Sequence, residues 1–169
     1  MHKTHESPGK LLLLNWRKFQ AVPGGRWLFS QFVGRLVPYT GTLRCSVREL
    51  RSGFARVELR DRRRVRNHLN SIHAVALANL GEFTAGLAML TGLPPTVRGI
   101  VTDLSVEYLK KARGRLVAES EADVPNVDGE TTYVARAEIK DAAGDVVARV
   151  AATWNLRASS LGGLPGLAG

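Results

Sequence analysis

Residues 66–90 read RNHLNSIHAVALANLGEFTAGLAML, and this stretch decides the fold. A polar, histidine-containing segment, Arg66 to Asn70, runs into a segment that is apolar on nearly every side. From Ser71 to about Leu90 the spacing predicts a helix, closed by Gly92 and Pro94-Pro95. A helix apolar all round has to be surrounded by other structure. Its one carboxylate is Glu82. An unpaired buried acid is costly and answers with a partner or a shifted pKa. Glu82 is therefore either rescued by a neighbour or kept for chemistry.

On the N-terminal side, Leu43, Cys45 and Val47 alternate with Arg44, Ser46 and Arg48. After the turn Arg51-Ser52-Gly53, Ala55, Val57 and Leu59 alternate with Arg56, Glu58 and Arg60. This period of two predicts a hairpin that begins near Thr42. On the C-terminal side, four further strand-like runs cover residues 100–109, 115–122, 131–140 and 146–156, the last two joined by the loop 141–145. Ahead of them all, residues 8–20 and 27–36 read as amphipathic helices split by Pro23-Gly24-Gly25 and are expected to cover a sheet edge or a groove. Two strands, one long apolar helix and four strands make an α+β arrangement. One curved antiparallel sheet wrapped around the central helix, with extra N-terminal helices, satisfies the pattern. That is the hotdog fold. The expected divisions are a helical extension over 1–41, a hotdog domain over 42–157 and a flexible tail over 158–169, where Ser159 to Gly166 is low in complexity.

The 169 residues suit one domain with a sizeable core, and a hydrophobic content of 44% argues against disorder. The single cysteine, Cys45, allows no internal disulfide, so a reducing cytoplasm is the expected home. The run Leu11-Leu12-Leu13-Leu14 is too short to span a membrane, and MHKTHESPGK lacks the apolar region of a cleavable signal. A net charge of +9 favours an anionic partner. Nucleic acid would account for the charge but not for the buried acid, and no metal-binding constellation surrounds His68 and His73.

Asn67, His73 and Glu82 keep the spacing Asn, five residues, His, then an acid nine positions on. With Thr102 to Leu109 and Asp145 to Arg149, this resembles the hotdog acyl-CoA thioesterases of the phenylacetate-pathway type, over roughly residues 42–157. Where that family has His-Gly-Gly, this chain has His73-Ala74-Val75; its usual aspartate is Glu82; and Val101 stands where some relatives carry a serine. The resemblance implies hydrolysis of an acyl-CoA, with coenzyme A as part of the substrate and no separate cofactor. It implies that the Ala74 N–H, at a helix N-terminus, and Asn67 hold the thioester oxygen while Glu82 activates water or attacks directly.

Ala74 and Glu82 are eight residues apart, roughly 12 Å along a helix, so one helix cannot offer both to one carbon. Two antiparallel copies can, which predicts a homodimer, or a dimer of dimers, with two shared sites. Asn79, one turn before Glu82, either orients the acid and its water or is a plain hydrogen-bond partner for Glu82. His73 reads as a helix-entry residue rather than a base, and its nine-residue offset from Glu82 counts against a hydratase pair. Lys110, Lys111 and Arg113 are candidates for the coenzyme A phosphates, with a solvated turn as the alternative. A non-catalytic acyl or acyl-CoA binding protein is the competing function.

Overall fold

The computed structural model describes residues 7–158. Strand β1 (Ser46–Arg51) turns through Ser52-Gly53 into β2 (Phe54–Leu59), and Gly53 adopts φ 72°, a left-handed conformation that glycine takes without a Cβ clash. The remaining strands are β3 (Val97–Tyr108), β4 (Leu116–Glu121), β5 (Glu130–Lys140) and β6 (Val146–Ala158). They form one six-stranded sheet in the order β1-β2-β4-β5-β6-β3, antiparallel throughout. Asp141 closes the β5–β6 loop by accepting the N–H groups of Ala143 and Asp145 on Oδ1 at 2.9 and 3.1 Å.

Helix α4 (Ala74–Gly92) lies in the curve of this sheet, packed against β2, β4, β5 and β6. Val57, Leu116, Ile139, Val150 and Leu156 form the floor beneath it, each almost wholly buried. A large aliphatic side chain buried in this way contributes about 1.5–3 kcal/mol. The approach is close at Gly81: a Cβ there would stand 2.2 Å from Val150 Cγ2. The apolar character that marks the helix in the sequence would also suit a membrane span by length and composition, but here sheet and helices enclose it. The expected α+β hotdog architecture is therefore the observed one.

The helix starts at Ala74 rather than Ser71. Asn67 Oδ1 accepts from the Ser71 N–H and hydroxyl at 3.2 and 3.1 Å, and the Ile72 N–H donates to the Ala112 carbonyl, so local bonds hold these residues in the loop. The first strand likewise begins at Ser46 rather than Thr42. Pro38 opens a short helix, α3 (Pro38–Gly41), Arg44 takes a left-handed φ of 49°, and only at Val47 does the backbone settle against the Ser30 hydroxyl, 2.9 Å away.

Helices α1 (Pro8–Gln20) and α2 (Gly25–Leu36) form where the sequence predicts them. Ser7 caps α1 by accepting the Lys10 N–H, and Pro8 occupies the first turn, where its missing N–H costs nothing. Trp16 and Phe29 pack edge to face at 5.0 Å, with Phe19 6.1 Å from Phe29, locking the two helices together. The pair lies over the face of α4 turned away from the sheet. At Gly9 a Cβ would meet the Leu90 carbonyl oxygen at 2.0 Å, so α1 touches the α4 backbone directly. The tail expected over 158–169 lies, apart from Ala158, outside the described residues.

Candidate functional site

Glu82 projects from the face of α4 that α1 and α2 cover, and it borders a cavity of 540 Å³. The walls are Leu11 and Leu12 of α1, Phe32 and Leu36 of α2, Leu87 and Leu90 of α4, with Trp154 of β6 at one side. Glu82 is half-buried, and among the described residues no cation or donor reaches its carboxylate. Burial alone pushes its pKa above the ordinary carboxylate range. Gly86 keeps the space beside it open: a Cβ there would lie 3.5 Å from Trp154 Cζ2 and 3.9 Å from Glu82 Oε1. The buried Trp154 Nε1 has no acceptor among the described residues.

At the other end of the helix, His73 is the N-cap, and its Nδ1 accepts the Val75 N–H at 3.1 Å. A ring nitrogen bound in this way holds the helix entry. The Ala74 N–H at the first helical position makes no hydrogen bond among the described residues, while the Ala74 carbonyl accepts the Tyr108 hydroxyl at 3.1 Å. Partial positive charge gathers at such a terminus and favours a negative charge beside it. Asn67 lies near by in the chain, but its Oδ1 is taken by the N–H groups of Leu69 and Ser71 and by the Ser71 hydroxyl, leaving only its amide N–H₂ to donate. Ala74 and Glu82 thus sit on one helix, at its start and near its middle.

Asn79 does not pair with Glu82. Its Nδ2 donates to Thr40 Oγ1 at 3.3 Å, and its buried Oδ1 is left without a donor among the described residues. Thr40 belongs to α3, an element too short to leave a sequence pattern. In the basic loop, Lys110 is tied to its neighbours. Lys110 Nζ donates to Asp141 at 2.8 Å and Asp145 at 2.6 Å, which raises its pKa and occupies its charge. Lys111 and Arg113 are exposed, and the Arg66 hydrogen bond, with a smaller contribution from the charge of Arg113, holds Asp61 below the usual carboxylate range. Val101 is half-buried on β3, and Thr102 bonds the Thr153 carbonyl at 3.3 Å. Cys45 is buried, its thiol pushed up to about 12, so it offers no thiolate. Among the described residues no group of His, Cys, Asp and Glu is placed to hold a metal ion.

Sequence reasoning missed Trp154 as a cavity wall, and it expected the N-terminal helices to cover a sheet edge or a groove without saying which. The amphipathic pattern of those helices was the available signal, and it gave their apolar faces without their partner.

No curated protein matches the chain. Among solved structures, the structural-genomics protein APC5556 is 28% identical, covering 88% of this chain and 99% of its own, with a TM-score of 0.77. PA5026 of Pseudomonas aeruginosa, described as a probable thioesterase, is 23% identical over 81% of this chain and 97% of its own, with a TM-score of 0.64. A hypothetical thioesterase from Streptococcus pneumoniae, solved with coenzyme A, is 20% identical over 69% of this chain and 91% of its own, with a TM-score of 0.58. The model of the family described as a domain of unknown function, DUF4442, matches residues 25–156. The chain belongs to the DUF4442 family and carries the hotdog fold of thioesterase-like proteins.

Proposed function

We propose that the protein hydrolyses an acyl-CoA thioester, at a site completed by a second copy of the chain. The observation that carries this reading is Glu82, a desolvated carboxylate without a partner among the described residues, facing an apolar cavity. At 540 Å³ the cavity is within the range of small-molecule sites, about 300–1,000 Å³. Its walls suit an aliphatic acyl chain. The fold is shared with a probable thioesterase and with a hypothetical thioesterase solved with coenzyme A, which supports the same substrate class.

Supplying both the Ala74 N–H and Glu82 at one carbon needs an antiparallel partner. Edge strand β3 supports this, because its outer edge is unpaired among the described residues and Ile100, Leu104 and Tyr108 stand exposed along it. Two such edges side by side would bring the partner's Ala74 N–H toward Glu82. The thioester oxygen then accepts from that N–H. Glu82 takes a proton from water as the water oxygen adds to the carbonyl carbon, and the raised pKa suits a proton acceptor near neutral pH. The tetrahedral species breaks its C–S bond, and the departing thiolate takes the proton back from Glu82. Free acid and coenzyme A leave. A single free cysteine and this substrate both fit a cytoplasmic protein.

The test is a panel of acyl-CoA esters with thiol detection, run on wild type and Glu82→Gln. Turnover should fall by about 10²–10⁴ with little change in substrate binding. A folded Glu82→Gln variant with wild-type turnover refutes the mechanism. The competing reading, an acyl-CoA binding protein without catalysis, draws on Val75, which puts an exposed side chain beside the Ala74 N–H. Tight binding without hydrolysis by either protein would establish it.

A further inference from the structure

The segment Arg60-Asp61-Arg62-Arg63-Arg64-Val65-Arg66 is the densest basic run in the chain, and the hydrolysis described above makes no use of it. Two of its residues, Arg64 and Val65, line a second cleft, of 860 Å³, between α2, α3 and the start of β1. Arg35, Arg44 and Arg64 stand on its rim, and no acidic residue lines it. All three are exposed and take part in no ion pair among the described residues. On the neighbouring strands, by contrast, Arg56 reaches Glu49 and Glu119, and Arg48 reaches Glu58. Behind the rim, Arg62 donates to the Leu43 carbonyl, and burial together with the charges of Arg44, Arg60 and Arg64 lowers its pKa. Like charges gathered without counter-ions repel, and a bound anion relieves that repulsion.

The cleft adjoins the Glu82 cavity, for Thr40 and Phe83 line both. Just behind this partition Asn79, which lines neither cavity, holds Thr40 through its Nδ2, and its buried Oδ1 has no donor among the described residues. An unsatisfied buried acceptor is costly, and a ligand N–H in the partition would satisfy it. The order of chemistry is thus an apolar chamber, a carboxylate, an amide acceptor and a rim of guanidinium groups. An acyl-CoA has the matching order: alkyl chain, thioester, amide N–H groups of the pantetheine arm, and phosphates. Guanidinium groups bind phosphate oxygens in pairs of parallel hydrogen bonds.

We propose that the arginine-rimmed cleft holds the phosphates of coenzyme A, and that Asn79 accepts an amide N–H of the pantetheine arm on the way from that cleft to Glu82. The proposal rests on the thioester reading and displaces the loop of Lys110 as the phosphate site.

The experiment is calorimetric binding of coenzyme A, and separately of pantetheine, which lacks the phosphates. The proteins are wild type, the triple variant R35Q/R44Q/R64Q, Asn79→Leu, and Arg17→Gln as an exposed charge-loss control on α1. Coenzyme A affinity should fall by about tenfold per arginine in the triple variant and stay within twofold in the control, since a hydrogen bond to a charged group is worth about that factor. Asn79→Leu should weaken pantetheine and coenzyme A alike. Because the three arginines are exposed, the single variants R35Q and R64Q serve if the triple variant folds poorly. Wild-type coenzyme A affinity in the arginine variants overturns the phosphate site, and unchanged pantetheine affinity in Asn79→Leu overturns the path of the arm. Wild type that binds no coenzyme A overturns both. Hydrolysis fails separately: a wild type that binds coenzyme A in this cleft but cleaves no thioester keeps the site and ends the thioesterase reading. If the triple variant cleaves acyl-CoA with unchanged kcat/KM, the reading stands and the site falls.

Discussion

Replacing Gly9 by alanine tests whether the helical roof takes part in binding the acyl chain. The new Cβ would land 2.0 Å from the Leu90 carbonyl oxygen, 2.8 Å from its carbon and 3.1 Å from Thr91 Cα. These are backbone atoms of α4, which Gly81 holds against Val150, so they cannot swing aside. Helix α1 has to retreat by about 1.4 Å to restore ordinary contact. It cannot retreat alone, because the Trp16–Phe29 and Phe19–Phe29 contacts draw α2 with it. Overpacking of this kind costs about 1–3 kcal/mol. In a chain of this size each kcal/mol lowers Tm by about 2–4 °C, so a fall of about 2–12 °C is expected. Leu11 and Leu12 move with the roof, and losing contact with two or three methylenes at about 0.8 kcal/mol each weakens long-chain binding roughly 15- to 50-fold. The assay compares kcat/KM for decanoyl-CoA and acetyl-CoA in wild type and Gly9→Ala, beside calorimetric melting. Long-chain kcat/KM should drop by that factor while the acetyl value stays within about twofold, because the short chain does not reach the roof. A variant that melts early yet handles decanoyl-CoA like wild type would show that the roof has no part in substrate binding.

The raised pKa of Glu82 predicts that the acid limb of the kcat/KM profile lies above the ordinary glutamate value of about 4.3. Its sign for stability is opposite to that of a salt-bridged acid. The folded state holds this proton more tightly than the unfolded state, so stability is lost as pH rises from the unfolded pKa through the folded one. Above that window Glu82→Gln should melt higher than wild type although inactive, and a lower Tm at neutral pH would contradict the desolvated-acid reading. For the shared site, Leu104→Lys puts a charge on the open edge of β3 and should yield a monomer without turnover in sedimentation and thiol-release assays. A monomer with full turnover rules the shared site out.

The sheet and its central helix were legible because their periods differ so sharply: Val57 and Leu59 alternate with charges, while residues 74–92 offer no polar face. The helix start drifted by a few residues where a short polar side chain took over the backbone bonds, as Asn67 does for Ser71. Glu82 stood out as a lone carboxylate, and the structure places it beside the cavity. Its relation to Asn79 was not legible, since helical spacing puts them on one face but cannot foresee Thr40 arriving from a four-residue helix to claim the amide. The ion pairs of Lys110 were not legible for a similar reason. Asp141 and Asp145 are some thirty residues away in sequence and meet it only once β5 and β6 pair. The arginine rim brings together Arg35 of α2, Arg44 ahead of β1 and Arg64 after β2, which stand apart in the sequence.

The contact between Gly81 and Val150 leaves α4 no freedom to rise or sink on the sheet, since even one methyl group there would strike a buried side chain at 2.2 Å. The lower half of the chamber is therefore closed to gradual change: a substitution that enlarged it would have to repack the sheet at the same time. The upper half is under no such restriction. Leu11, Leu36 and Val37 line the chamber yet are 40–60% exposed, so they can be exchanged without disturbing the buried core. Divergence in substrate among proteins built on this plan should accordingly be written in the first forty residues. Grafting that segment alone between relatives is then the shortest route to a new acyl preference.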